Sequence, residues 1–337
     1  MARLVAILGA LWRTQRRDQK SFETVATNNF FIVTAFFLQK AGTFIYLILG
    51  LVLLFPLSTD PLRKIPRSRL GLWPLKGIER RLLRAISPWV NPVTWIMAGL
   101  AVVMARGKVS LGLWALLAAV IAAGFVVSEL PAPAHGMLRR VPQFPGVLNH
   151  LIRKNLREML ATLDFYCALV LSAAAALYRL LGPALPAGAL VPLTILTMLA
   201  LSSYAQCLFG LDGDGGLGRY RLLPLAGWQI LLAKDAAFLS IAIPLTLPLA
   251  PAPGLSAALV VLALGHGPSV TEQRAQTRWR FSSGASVLYG FVQAALMAMA
   301  AANDQRLVFG PVLALWLASL WYYGREMSGI LSKRVAA

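Results

Sequence analysis

The chain has 337 residues, of which 58% are hydrophobic and 13% charged, and its formal net charge is +19. Soluble domains carry about 25% charged residues, and several runs here reach the ~18 apolar residues that cross a bilayer, so a soluble fold is set aside in favour of an all-α, polytopic helical membrane protein. The apolar runs are continuous and rich in Leu and Ala rather than alternating, which argues against a β-barrel. The positive-inside rule accounts for the basic charge without nucleic acid.

Residues 1–12 place Leu4, Val5, Leu8, Leu11 and Trp12 on one helical face. Arg13, Arg16, Arg17 and Lys20 follow, with no small-residue cleavage site, so a retained interfacial helix fits better than a signal peptide. Residues 29–57 are apolar but broken by Gln39, Lys40 and Gly42. A re-entrant or bent hairpin over 22–57 would return the chain to the side it left. The basic loop 58–88 contains an amphipathic stretch with Ile78, Leu82, Leu83 and Ile86 on one face; a solvated linker and a surface helix both fit it. Residues 1–88 thus form the first region. An extra pair of spans, 89–105 and 109–130, turns at Arg106, Gly107 and Lys108 and forms the second, 89–130.

The third region, 131–325, opens with a helix that sets Leu148, Leu151, Ile152, Leu156, Met159, Leu160 and Leu163 opposite Arg153, Lys154 and Arg157. That pattern predicts an interfacial helix leading into a span. Six spans follow, at about 161–181, 186–208, 229–250, 254–270, 284–302 and 307–324, and a cytoplasmic tail, 326–337, ends the chain. The 254–270 span is short and holds His266, Gly267 and Pro268, so its inner end is expected to unwind. Of the 32 Lys and Arg residues, Arg106, Lys108, Arg179 and Arg306 fall outside and Lys40 in the hairpin. The rest fall inside, which supports eight spans after residue 88 with a cytoplasmic C-terminus.

Ion- or proton-coupled transport needs ionisable groups near the midplane. Asp164, Lys234, Asp235 and Arg325 are placed near cytoplasmic ends, and His266 is read as a packing or interfacial residue rather than a relay. The chain has no GxxxxGK[ST] phosphate loop. His135, His150 and His266 have no metal-ligand spacing, and Cys167 and Cys207 read as packing residues. An enzyme would have to use Asp212 and Asp214, with no further acids nearby. The chain therefore reads as a non-enzyme with no metal and no cofactor of its own.

The polar stretch Phe209–Asp235 divides two of these spans. Gly210, Gly213, Gly215, Gly216 and Gly218 permit a compact turn, and Asp212 or Asp214 is suited to cap a short helix. Arg219, Tyr220, Arg221, Leu222 and Leu223 give a basic, aromatic and apolar surface, which Pro224 ends. This segment resembles the first intracellular loop of type-2 ABC-transporter permeases, the membrane subunits of ATP-driven exporters. Asp212, Gly213, Arg219–Leu223, Pro224 and Lys234 stand where that family has its turn, coupling helix, proline and lysine. The stretch FGLDGDG…RYRLLPL…ILLAKD is similar to a bacterial subgroup, and LIRKNLREMLATLDFY resembles that family's connecting helix. The family's usual Glu-Arg-rich start to the loop is missing.

The resemblance covers about residues 148–325. It implies a permease that dimerises, as a homodimer or heterodimer, in the inner membrane of a bacterium. Its partner would be a cytoplasmic ABC ATPase that binds the ATP and docks on Asp212, Gly213, Asp214, Arg219, Tyr220, Arg221, Leu222, Leu223 and Pro224. A membrane enzyme using the Asp212 loop and a non-transporting scaffold are the alternatives.

Overall fold

The computed structural model describes residues 2–17, 62, 65, 70, 72–90, 146, 148–160, 162–181, 190–207, 216–272 and 287–332. Among these the secondary structure is helical, with no strand. The helices are α1 (Ala2–Arg17), α2 (Gly77–Ile86) with a 3-10 turn at Ser87–Val90, α3 (Asn149–Met159), α4 (Leu163–Leu181) and α5 (Leu190–Gln206). After them come α6 (Gly216–Arg221), α7 (Gly227–Thr246), α8 (Pro251–Thr271), α9 (Val287–Ala302) and α10 (Gln305–Ser332). The chain divides into two units, Met1–Thr27 with Thr34–Pro131, and Asn28–Val33 with Ala132–Ala337. The hairpin expected over 22–57, and the pair of spans from residue 91 on, lie outside the described residues.

In the first unit α1 is helical where expected, but its apolar face is not left for lipid. Leu4 and Leu11 are buried with Leu62, Leu75, Leu83 and Val90, and Ile7 and Leu8 pack on the same cluster. Val5 and Trp12, assigned to that face from the sequence, are exposed instead. The period explains the difference: positions 4, 7, 8 and 11 share a face, and 5 and 12 fall on its edge. Helix α2 forms over the predicted stretch, so the solvated-linker alternative falls away. It buries Leu83 and leaves Ile78, Leu82 and Ile86 exposed.

The second unit is a bundle centred on α5 and α8. Every residue of α5 from Leu193 to Gln206 is buried. Helix α8 packs against α5, α7, α9 and α10, and α7 also packs against α3 and α10. Close approach between α8 and α5 needs Gly265, because a Cβ there would lie 2.6 Å from the Ala205 carbonyl oxygen. Helices α7 and α8 form a tight antiparallel hairpin, in which Gly254 abuts the Thr246 side chain and Pro251 starts α8. Proline suits that position because the first turn lacks an intrahelical acceptor for its N–H.

Among the described residues, three helices, α7, α8 and α10, are long and apolar enough to cross a membrane. Helices α5 and α9 are shorter and apolar. Helix α10 has two faces. Val312, Leu320, Gly324 and Met327 are buried. Leu307, Phe309, Leu315, Leu317, Trp321 and Tyr322 are exposed. A stripe of that size is unfavourable in water and natural in hydrocarbon.

Two expectations about the spans are corrected. Helix α8 does not unwind at His266-Gly267-Pro268 but continues to Thr271. Pro268 removes the N–H that would bond the Leu264 carbonyl four residues back, and the Tyr289 hydroxyl of α9 donates to that carbonyl instead. Helix α3 is amphipathic as predicted, yet its apolar face is not interfacial. Leu151, Ile152, Leu156 and Met159 are buried, and the helix packs on α7.

Candidate functional site

Two polar features stand out in the second unit, one predicted from the sequence and one missed by it. The predicted one is the short helix α6 and the turn after it. Glycine and proline delimit this element: Gly216 opens α6, and Pro224 lies in the extended link to α7. Leu222 and Leu223 close the last turn through amide bonds to the Arg219 and Tyr220 carbonyls, at 3.2 Å each. Leu222 is 85% exposed and Leu223 40%, beside an exposed Pro224 and a half-exposed Trp228. Arg219 is exposed and Arg221 partly so.

Tyr220 departs from the expectation. It is buried, and Lys154 of α3 sits over its ring, 5.2 Å from the centroid. Its side chain therefore fastens α6 to the bundle and is not part of the free surface. Lys154 also pairs with Glu158 at 3.7 Å, Arg153 is partly buried, and Arg157 is exposed. Asp212, Gly213 and Asp214 lie outside the described residues.

The link after α6 is clamped at its other end. The Gly227 amide donates to Ser328 Oγ of α10 at 2.9 Å, and the Ala226 amide donates to Gln229 Oε1 at 2.9 Å. A Cβ on Gly227 would meet the Gly324 carbonyl oxygen at 2.5 Å, so the backbones of α7 and α10 touch here. Leu222 thus lies five residues ahead of the point where α7 and α10 are hydrogen-bonded and in close backbone approach.

The missed feature lies deeper. Lys234 and Asp235 are not at the end of α7: Asp235 is about 12 Å along it at 1.5 Å per residue. Asp235 and His266 are both fully buried, with Asp235 Oδ2 3.0 Å from His266 Nε2. His266 Nδ1 lies 3.0 Å from Ser319 Oγ. Trp316 Nε1 donates to Asp235 Oδ2 at 2.8 Å, and Ser319 Oγ donates to the Ala263 carbonyl at 2.6 Å. Lys234 Nζ donates to the Ala205 carbonyl of α5. His266 is therefore a bonded member of an ionisable cluster, and its reading as a packing residue is corrected.

Carboxylate, imidazole and hydroxyl in a row invite comparison with a nucleophilic triad. The hydrogen directions oppose it. A nucleophilic serine donates its proton to the imidazole, whereas Ser319 donates to a backbone carbonyl. The arrangement fixes the ring. Two further buried pairs bind the bundle: Ser203 donates to Asp164 Oδ2 at 2.7 Å, and Gln206 Nε2 donates to Gln293 Oε1 at 2.8 Å.

The sequence signal for the cluster was present in Asp235 and His266, each an ionisable residue inside an apolar run. Placing Asp235 at a span end hid it. Compared with known proteins, the chain matches no family model, no curated protein and no solved structure.

Proposed function

We propose that the chain is the permease subunit of an ATP-driven transporter of the bacterial inner membrane. In this reading it spans the membrane about eight times after an N-terminal hairpin, with α6 and the C-terminus on the cytoplasmic side. A separate cytoplasmic ATPase binds ATP and docks on α6. The observation that supports this most is the apolar tip at Leu222 and Leu223, carried on a short helix whose base is clamped to α7 and α10. An exposed leucine on a rigid stub suits a partner's cleft better than it suits water.

Docking on this tip biases the bundle only if the partner binds two conformations with different affinity. The likeness of residues 148–325 to type-2 ABC permeases gives the reading its reaction class. Pairing of two permeases, as a homodimer or heterodimer, is part of the same proposal. The exposed apolar face of α10 supports contact with lipid or with a second permease.

Sidedness tests the reading. Cys167 and Cys207 are buried thiols, so alanine at both gives a background for Leu222→Cys. A membrane-impermeant thiol reagent should label that cysteine in inside-out vesicles and leave it unlabelled in intact spheroplasts. Labelling from the outer side would end the proposal.

A further inference from the structure

The hydrogens around Asp235 and His266 can be counted. A serine hydroxyl has one hydrogen, and Ser319 directs it to the Ala263 carbonyl. The 3.0 Å contact between Ser319 Oγ and His266 Nδ1 therefore requires a hydrogen on Nδ1. The Trp316 hydrogen points at Asp235 Oδ2. The 3.0 Å contact between Oδ2 and Nε2 then needs one more hydrogen, on either atom. Without it, a carboxylate would face an imidazole lone pair in a site closed to water. The pair holds one proton more than a carboxylate and a neutral imidazole, and that proton belongs to the pair rather than to either residue.

We propose that Asp235 and His266 form a proton-binding site in the core of the bundle, whose single proton ties α7 to α8 and, through Ser319 and Trp316, to α10. Loss of the proton sets two acceptors against each other and loosens α7 from its neighbours. Two atoms make this a site for a proton rather than for a metal: among the described residues no third His, Cys, Asp or Glu joins them. Asp235 Oδ1 is buried and has no hydrogen-bond partner among the described residues, so the carboxylate has an open acceptor for an incoming proton.

Other titratable groups surround the pair. On α7 itself Lys234 is buried and is electrostatically coupled to Asp235. Helix α5 contributes Tyr204 and Cys207, both buried, and α3 brings Glu158 towards Tyr204. Helix α10 places Tyr323 beside Gly267, with Arg325 six residues past Ser319 and over the Trp321 ring. Helix α9 contributes Tyr289, which is coupled to Tyr323 and to Glu272 at the end of α8. Lys234 is the cation next to Asp235 in the chain, and its Nζ is held by the Ala205 carbonyl.

The test uses the full chain in lipid nanodiscs. His135→Gln and His150→Gln leave His266 as the sole imidazole of the three in the chain. Nitrogen-15 spectra of that imidazole are then recorded at pH 7. The expected spectrum has a hydrogen on Nδ1 and a hydrogen-bearing or proton-sharing Nε2. Asp235→Asn should leave Nε2 bare, and if that variant does not fold, the parent spectrum decides alone.

Hydrogen exchange around Ser319 should be quicker in Asp235→Asn, which lacks the shared proton, than in the parent. A bare Nε2 in the parent, a hydrogen kept on Nε2 in Asp235→Asn, or unchanged exchange in that variant would overturn the proposal. None of these results bears on the ATPase docking proposed at α6, and failure of that docking would leave this site standing.

Discussion

Tyr289 of α9 donates its hydroxyl proton to the backbone carbonyl of Leu264 on α8, the carbonyl that Pro268 leaves without its usual partner. One side chain thereby supplies the bond that Pro268 withholds, and α8 runs on to Thr271. A buried carbonyl left bare costs about 1–3 kcal/mol. Tyr289→Phe should lower the thermal midpoint in detergent and speed amide exchange from His266 to Thr271, while the packing of α7 on α10 is unchanged. Equal exchange in the variant and the parent would show that α8 holds its line without the hydroxyl.

The contact of Gly227 with Gly324 should tolerate no side chain. A Cβ on Gly324 would sit 2.6 Å from the Trp228 Cβ, and one on Gly227 would sit 2.5 Å from the Gly324 carbonyl oxygen. Overpacking typically costs about 1–3 kcal/mol. Gly324→Ala should destabilise the chain in that range. Gly310→Ala on the same helix, where nothing lies within 4 Å of an added Cβ, should be close to neutral. A thermal melt of the two variants side by side distinguishes a true backbone contact from a general intolerance of α10 to alanine.

At the start of α2 the Lys76 amide donates to Glu79 Oε2 at 3.1 Å. That bond holds the Glu79 carboxyl below its ordinary value. A carboxyl with a depressed folded value stabilises above its unfolded value and loses that contribution as pH falls through the folded one. Protection of the Lys76 amide against exchange should therefore hold at neutral pH and fade in the acid range. Glu79→Gln should abolish the pH dependence. A Lys76 amide equally protected at both ends of the range in the parent would contradict the sign.

How legible all this was in the sequence depended on the kind of signal. Long apolar runs at 229–250, 254–270 and 307–324 announced α7, α8 and α10, because a run of that length and composition is rare outside a bilayer. Amphipathic spacing found α1, α2 and α3 but not what covers them. A 3.6-residue period says that a face is apolar, and lipid and protein look the same from the sequence. That is why Leu151 and Leu156 read as interfacial and turned out to pack on protein. Tyr220 was misread for a related reason: a six-residue helix is too short for the pattern to tell its inner side from its outer.

The Asp235 cluster was missed because it joins residues from three helices. Asp235 and His266 are 31 positions apart and Trp316 is 81 from Asp235. No spacing rule links them. Only the antiparallel hairpin of α7 and α8, with α10 laid alongside, brings them to one point.

The exposed tip at Leu222 and Leu223 is the centre of the functional reading, and the docking proposed for it can be measured. The chain would be co-expressed with an ABC-type ATPase from its own genome, purified as a complex and reconstituted in nanodiscs. ATP hydrolysis would then be compared between the parent and the Leu222→Asp, Leu223→Asp double variant. Both leucines are exposed, so the variant should insert and melt like the parent. The account predicts a stable complex whose turnover depends on the membrane subunit, and loss of both in the variant. A complex of unchanged affinity and turnover after both leucines become aspartate would contradict it.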